Sequence, residues 1–232
     1  MGEAALAVVK LGGSLLFEDE GSLKEGYVRG FLRELREYLA ESNGRVVVVV
    51  GGGRYARNYI QLGRRLGVNE GVLDYLGILV SRLNAATMYA AFYNSPPLIP
   101  ETLLDVHKLL ASGLRVVFMG GLQPGQSTTT TAALVAESLN GSLIIATDVE
   151  GIYTDDPKRN PAATLMERVS VEELRRMFQR EQVAGEYRMI DVLSLNVIQR
   201  SKVKVFVLKG DPPGNIFRAL RGERVAGTFI EA

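Results

Sequence analysis

Three points along this 232-residue chain place bare glycine backbone directly after an apolar, β-branched run. Lys10-Leu11-Gly12-Gly13-Ser14 closes the run from Ala5 to Leu11, and Gly51-Gly52-Gly53-Arg54 follows Val46 to Val50. Gly120-Gly121-Leu122-Gln123-Pro124-Gly125-Gln126-Ser127-Thr128 follows Leu114 to Met119. Glycine lets backbone amides approach an oxyanion closely, and a helix that starts there adds the positive end of its dipole. Any single glycine pair is ordinary turn chemistry. Three of them at the ends of three runs suit a polyphosphate together with a second phosphorylated ligand. Lys10, at the end of the first run, can aim an ammonium at charge growing on a transferring phosphoryl group. A lysine that merely snorkels from a strand end is the plainer reading, and the adjoining Gly-Gly-Ser makes it the weaker one.

The common phosphate signatures are missing. No segment fits G-x-x-x-x-G-K-[ST], and no G-x-G-x-x-G follows a strand-like run. The chain has no cysteine, which removes disulfides, thiolate zinc sites and a cysteine nucleophile together. A fourth segment, Ala146 to Lys158, gathers acidic, aromatic and hydroxyl groups. Tyr153 can lie against a base or ribose, Asp156 can accept from hydroxyl or amino groups, and Lys158 can reach phosphate. Asp-Asp-Pro-Lys is equally an ordinary acidic turn, and composition alone favours that.

These residues need elements to hold them. Ala5 to Leu11, Val46 to Val50, Leu114 to Met119, Ser142 to Ala146 and Val203 to Leu208 are apolar without alternation, as strands covered on both faces of a parallel sheet are. Between them, Leu23 to Leu39, Ala56 to Leu66, Leu73 to Phe92, Glu101 to Ala111 and Thr130 to Leu139 have helical character. The alternation predicts a sheet sandwiched between helices. No linker or repeat divides the chain, so a single domain over residues 1–232 is expected, with a soft division near 141–145.

With 47% hydrophobic residues the chain can bury a substantial core. Lys plus Arg number 27 against 26 Asp plus Glu, so a net charge of +1 offers no field for nucleic acid or an acidic membrane. The first apolar run ends at Lys10, far short of the roughly 20 residues that cross a bilayer. A soluble, cytoplasmic protein is expected.

The series KLGGSLL, VVVVVGGGRYAR, FMGGLQPGQSTTTTAALVAE, IIATDVEGIYTDDPKRNP and AGEYRMID closely resembles the archaeal-type uridylate kinases of the amino-acid-kinase superfamily. The resemblance runs from Val8 to about Ile230. TDVEGIYTDDP with the upstream KxGGS and GGG marks the superfamily, and GGLQPGQST narrows it to this kinase type. The resemblance implies a three-layer αβα sandwich on a mainly parallel sheet, and transfer of the γ-phosphoryl group of ATP to uridine monophosphate (UMP). Carried over residue by residue, it places Lys10, Gly13 and Ser14 at the ATP phosphates, with Gly53 and Arg57 bordering them. Thr147, Tyr153 and Asp156 would hold the nucleoside half of ATP, and Lys158 would touch phosphate as in some relatives. Gly52 would face the acceptor phosphate and Asp74 the acceptor ribose. Leu122, Gln123, Pro124, Gly125, Gln126, Ser127 and Thr128 would enclose the uracil and its phosphate.

One departure from the pattern is Thr129, where many superfamily members carry an aspartate that organises the catalytic lysines. The acceptor phosphate is already ionised near neutral pH, so no general base is required. Magnesium would be held chiefly by nucleotide oxygens and water, with no protein ligand assigned. The lone histidine, His107, lies in a helical segment and suits a surface or interface place. Isopentenyl phosphate kinases carry a histidine shortly after the second glycine run, and Arg54 to Arg64 has none. Kinases of carboxylates or carbamate, and non-catalytic nucleotide-binding storage proteins, are the rival readings. PGQST argues against the first and the intact KLGGS against the second. The resemblance further implies a homohexamer built as a trimer of dimers, with uridine triphosphate (UTP) as an inhibitor at the active site. Leu73 to Phe92 is more apolar than one core stripe requires, which a subunit interface or neighbouring helices of the same chain explain equally well.

Overall fold

The computed structural model describes residues 6–18, 22–155, 160–180 and 190–232. Strands β1 (Leu6–Leu11), β2 (Arg45–Val50), β3 (Val116–Met119), β4 (Ser142–Thr147), β5 (Arg168–Ser170), β6 (Val205–Lys209) and β7 (Gly227–Glu231) form one sheet in the order β3-β2-β1-β4-β6-β7-β5. All neighbours run parallel except β6 with β7. β1 to β3 occupy one half of the sheet and β4 to β7 the other, and residues 142–145 run within β4 beside β1.

The helices are α1 (Glu25–Glu41), α2 (Gly53–Arg65), α3 (Glu70–Tyr93), α4 (Leu103–Ala111), α5 (Thr128–Ser138), α6 (Val171–Arg180), α7 (Val192–Ser201) and α8 (Gly214–Leu220). A short 3-10 turn, Gly13–Leu15, follows β1. Strand residues alternate between two cores because their side chains point to opposite faces. Val9, Val46, Val48 and Phe118 meet Phe31 and Leu35 of α1, Met88 of α3 and Phe217 of α8 on one face. Val8, Val47, Val49 and Ile145 meet Val106 of α4, Ala132 and Val135 of α5, and Leu195 and Ile198 of α7 on the other. Apolar residues on both faces of the central strands explain why their sequence shows no polar alternation. The expected αβα sandwich is therefore the fold observed. The short β5, and β7 with its antiparallel pairing, were not among the expected strands, and α6, α7 and α8 were not among the expected helices. No helix among the described residues is long and apolar enough to cross a membrane.

Candidate active site

The glycine turns after β1 and β2 meet at the carboxyl edge of the sheet, backbone against backbone. A Cβ built on Gly13 would lie 2.2 Å from the Gly53 nitrogen and 2.3 Å from its Cα, and one on Gly51 would lie 2.7 Å from the Gly13 nitrogen. Only bare backbone fits at that contact. Gly53 has φ +63°, which glycine adopts without steric cost. α2 starts there with Gly52 at its N-cap and no side-chain cap, so its first amides remain open to an anion.

α3 holds the turns after β2 and β3. Asn84 Nδ2 donates to the carbonyls of Gly51 at 2.9 Å and Gly52 at 3.4 Å. Ser81 Oγ accepts from the Gly121 amide at 2.8 Å, and Arg82 donates to the carbonyls of Gly121 at 3.1 Å and Leu122 at 3.2 Å while pairing with Glu101 at 2.7 Å. About two turns earlier on α3, Asp74 Oδ2 accepts from the Gly125 amide at 2.9 Å. The loop from Gly121 to Ser127 thus hangs on one helix face through Asp74, Ser81 and Arg82. Ser81, Arg82 and Asn84 were missed in the sequence reading.

The loop ends at α5, whose N-cap Ser127 accepts from the amides of Thr129 at 3.1 Å and Thr130 at 3.0 Å. A cleft of about 540 Å3 lies between α2, α3 and α5. Gly13, Ser14, Gly52, Gly53, Arg57, Asp74, Gln126, Ser127 and Thr128 line it, together with Gly51, Ala56, Ile78, Ser81, Gly121, Thr129 and Asp148. Residues expected for both nucleotides therefore share one cavity. Gln126 Oε1 is buried there without a hydrogen-bond partner among the described residues, an acceptor to which a ligand can donate.

Other expected residues lie outside this lining. Lys10 is buried at 1% exposure. It pairs with Val49 and Ile145 in register, which puts it on the sheet face that α5 covers, and its Nζ lies 3.8 Å from where a Cβ on Gly12 would stand. Leu122 packs against the core, while Gln123, Pro124 and Gly125 are exposed and are not among the residues lining the cleft. Thr147 ends β4 with its hydroxyl donating to Asp148 Oδ1 at 3.1 Å. Tyr153 is half-buried nearby in sequence, its hydroxyl donating to Glu150 at 2.9 Å, a bond that raises the phenol pKa above its ordinary value. Asp156 and Lys158 lie outside the described residues. His107 lies on α4, away from the cleft lining.

The model for the amino acid kinase family matches residues 5–209, and the chain belongs to that family. Within it, the chain is 41% identical over 203 residues to a protein named uridylate kinase from Sulfolobus acidocaldarius, covering 86% of this chain and 89% of the other. It is 39% identical over 225 residues to the uridylate kinase of Archaeoglobus fulgidus, covering 96% and 98%. The crystal structure of uridylate kinase from Archaeoglobus fulgidus superposes with a TM-score of 0.81 at 37% identity, over 97% of this chain and 99% of that one. A UMP kinase from Ureaplasma parvum, at 18% identity and a TM-score of 0.80 over 99% of each chain, shares the fold.

Proposed function

We infer that this protein is a UMP kinase, transferring the γ-phosphoryl group of ATP to UMP to give UDP and ADP. The observation that carries the reading is the single cleft in which the uncapped N-terminus of α2 faces the loop that α3 suspends. The relatives named uridylate kinase, similar over nearly the whole chain, support it. An oxygen of the acceptor phosphate attacks the γ-phosphorus, the bond from that phosphorus to the β–γ bridging oxygen breaks, and ADP leaves with the electron pair. The amides of Gly52 and Gly53 orient phosphate oxygens, and Lys10 offsets the charge that spreads over the transferring group. Gly13 and Ser14 hold the donor phosphates and Arg57 borders them. Asp74 and residues 122–128 hold the acceptor, where Gln126 Oε1 meets a donor on the base. Thr147, Tyr153, Asp156 and Lys158 serve the donor nucleoside and its phosphates in this reading.

Among the described residues no group of three or more His, Cys, Asp or Glu is gathered for a metal ion. A magnesium ion held chiefly by nucleotide phosphate oxygens and water would need few protein oxygens, and the carboxylate of Asp148 in the cleft lining would suit its hydration shell. Bound there, the ion supplies charge neutralisation for phosphoryl transfer. UTP, with its base in the acceptor pocket, extends its outer phosphates toward the donor subsite and competes with UMP. We place the protein in the cytoplasm as one catalytic domain without a nucleic-acid or membrane partner, assembled as a homohexamer of three dimers. Val72, Tyr75, Leu79 and Leu83 on α3 are exposed along one stripe, with Leu83 at 66%, which supports burial between copies. A coupled assay across UMP, CMP, AMP and isopentenyl phosphate tests the acceptor. Turnover that favours any acceptor over UMP would overturn the reading.

A further inference from the structure

We propose that Asp191 is a positioning residue of the acceptor site, acting through Ser127 and Thr130; the inference rests on the acceptor reading of the 122–128 loop. Asp191 lies outside the cleft lining, at the N-cap of α7. Capping that helix needs a single acceptor, and the amide of Ser194 supplies the donor at 2.9 Å to Oδ1. The same carboxylate also reaches across to the other helix. Ser127 Oγ donates to Oδ2, and Thr130 Oγ1 donates to Oδ1 at 2.8 Å or Oδ2 at 2.9 Å.

A serine hydroxyl has one proton. Because the proton of Ser127 goes to Asp191, its lone pairs face the amides of Thr129 and Thr130, and the start of α5 is fixed in one geometry. Charge-assisted hydrogen bonds of this kind are the stronger ones, and Thr130 is only 2% exposed. Gln126, Thr128 and Thr129, the immediate neighbours, line the cleft. A carboxylate beside an anionic acceptor opposes binding unless its charge is taken up by other donors, and here three donors take it up. Asp191 therefore anchors the loop's far end as Asp74 and Arg82 anchor its near side.

Steady-state kinetics of three variants test this. Asp191→Ala raises the KM for UMP about tenfold, while the KM for ATP stays within about twofold. Asp191→Asn, which keeps one accepting oxygen and puts an amide donor in place of the other, restores only part of that loss. Ser194→Ala disturbs only the α7 side of the cap, so it lowers the melting temperature and leaves the KM for UMP unchanged. Equal shifts in both Michaelis constants, or a Ser194→Ala effect on UMP as large as that of Asp191→Ala, would overturn the proposal. Where Asp191→Ala fails to fold, Thr130→Val decides: a raised KM for UMP supports the anchor, and an unchanged one overturns it. A wild-type protein that does not phosphorylate UMP would defeat the functional reading, whereas an active wild type with indifferent variants defeats only this inference.

Discussion

Adding one methyl group at Gly13 should cost this protein both stability and rate, because the contact it enters is backbone on both sides. The Cβ would stand 2.2 Å from the Gly53 nitrogen, so the two turns must part by about 0.8 Å merely to reach 3.0 Å, the nearest approach real Cβ atoms show. No side chain at that contact can rotate away, since the neighbours are the N and Cα of Gly53 and the carbonyl carbon of Gly52. Overpacking of this kind costs about 1–3 kcal/mol. In a chain of this size that lowers the melting temperature by roughly 2–12 °C. The displaced atoms include the start of α2, and a misplacement near 1 Å at a phosphate cradle lowers turnover on the order of 100-fold. Gly13→Ala is to be measured by thermal melting and by kcat/KM with UMP, beside Gly26→Ala. A Cβ on Gly26, in the exposed first turn of α1, meets nothing within 4 Å, so this control should keep its activity. A Gly13→Ala protein with unchanged melting and kcat/KM within about threefold of wild type would refute the backbone-contact argument. Lost stability with full activity would leave Gly13 a packing residue only.

Lys10→Ala should lower kcat by about 100-fold or more with a smaller change in either Michaelis constant, since charge opposite the transferring group acts in the transition state. An unaltered kcat with a raised KM would remove Lys10 from that role. Asp74→Ala should raise the KM for UMP by about tenfold and spare ATP, because it frees the Gly125 amide and the loop above it. A selective loss of ATP affinity would reverse the two halves of the site. Glu70 is held below its ordinary value of 4.5, chiefly by the hydrogen bond from Arg64; desolvation opposes that shift, and the guanidinium's charge adds a lesser downward pull. A depressed native pKa stabilises the fold above the unfolded value and loses that contribution as pH falls through the native one. Melting curves of wild type and Glu70→Gln should therefore differ near neutral pH and converge in acid. A gap that widens in acid contradicts the assignment.

The sequence made the site legible where chemistry coincides with local pattern. The strand ends declare themselves because β1, β2 and β4 are apolar on both faces, and the glycines after β1 and β2 follow immediately. β5 has three residues, too few to show any period, and β7 is a five-residue strand that pairs antiparallel with β6 and parallel with β5. What local pattern does not show is the scaffold of the acceptor loop. Asn84 reaches residues 32 and 33 positions away, and Arg82 reaches 39 and 40. The apolar abundance of α3 masks the polar face that carries Asp74, Ser81 and Arg82. Asp191 left a faint signal, an Asp three residues before Ser194 at the start of an apolar run, which is a capping pattern. Its second duty, toward Ser127, exists only in three dimensions.

The glycine turns show why the bland and the chemical readings of such motifs are not rivals. Gly13 and Gly53 are glycines because two backbones touch, a structural reason that would hold in the absence of any ligand. Yet backbones that touch without side chains between them are what expose amides at a helix start. With no side chain to cap α2, those amides depend on water or an anion for their hydrogen bonds. At α5 the chain takes the opposite course and caps the amides itself with Ser127, under the hold of Asp191. The two helix starts that border the cleft therefore differ in kind. In the proposed function, phosphate binding belongs first to the open one, and the capped one gives the acceptor loop its shape.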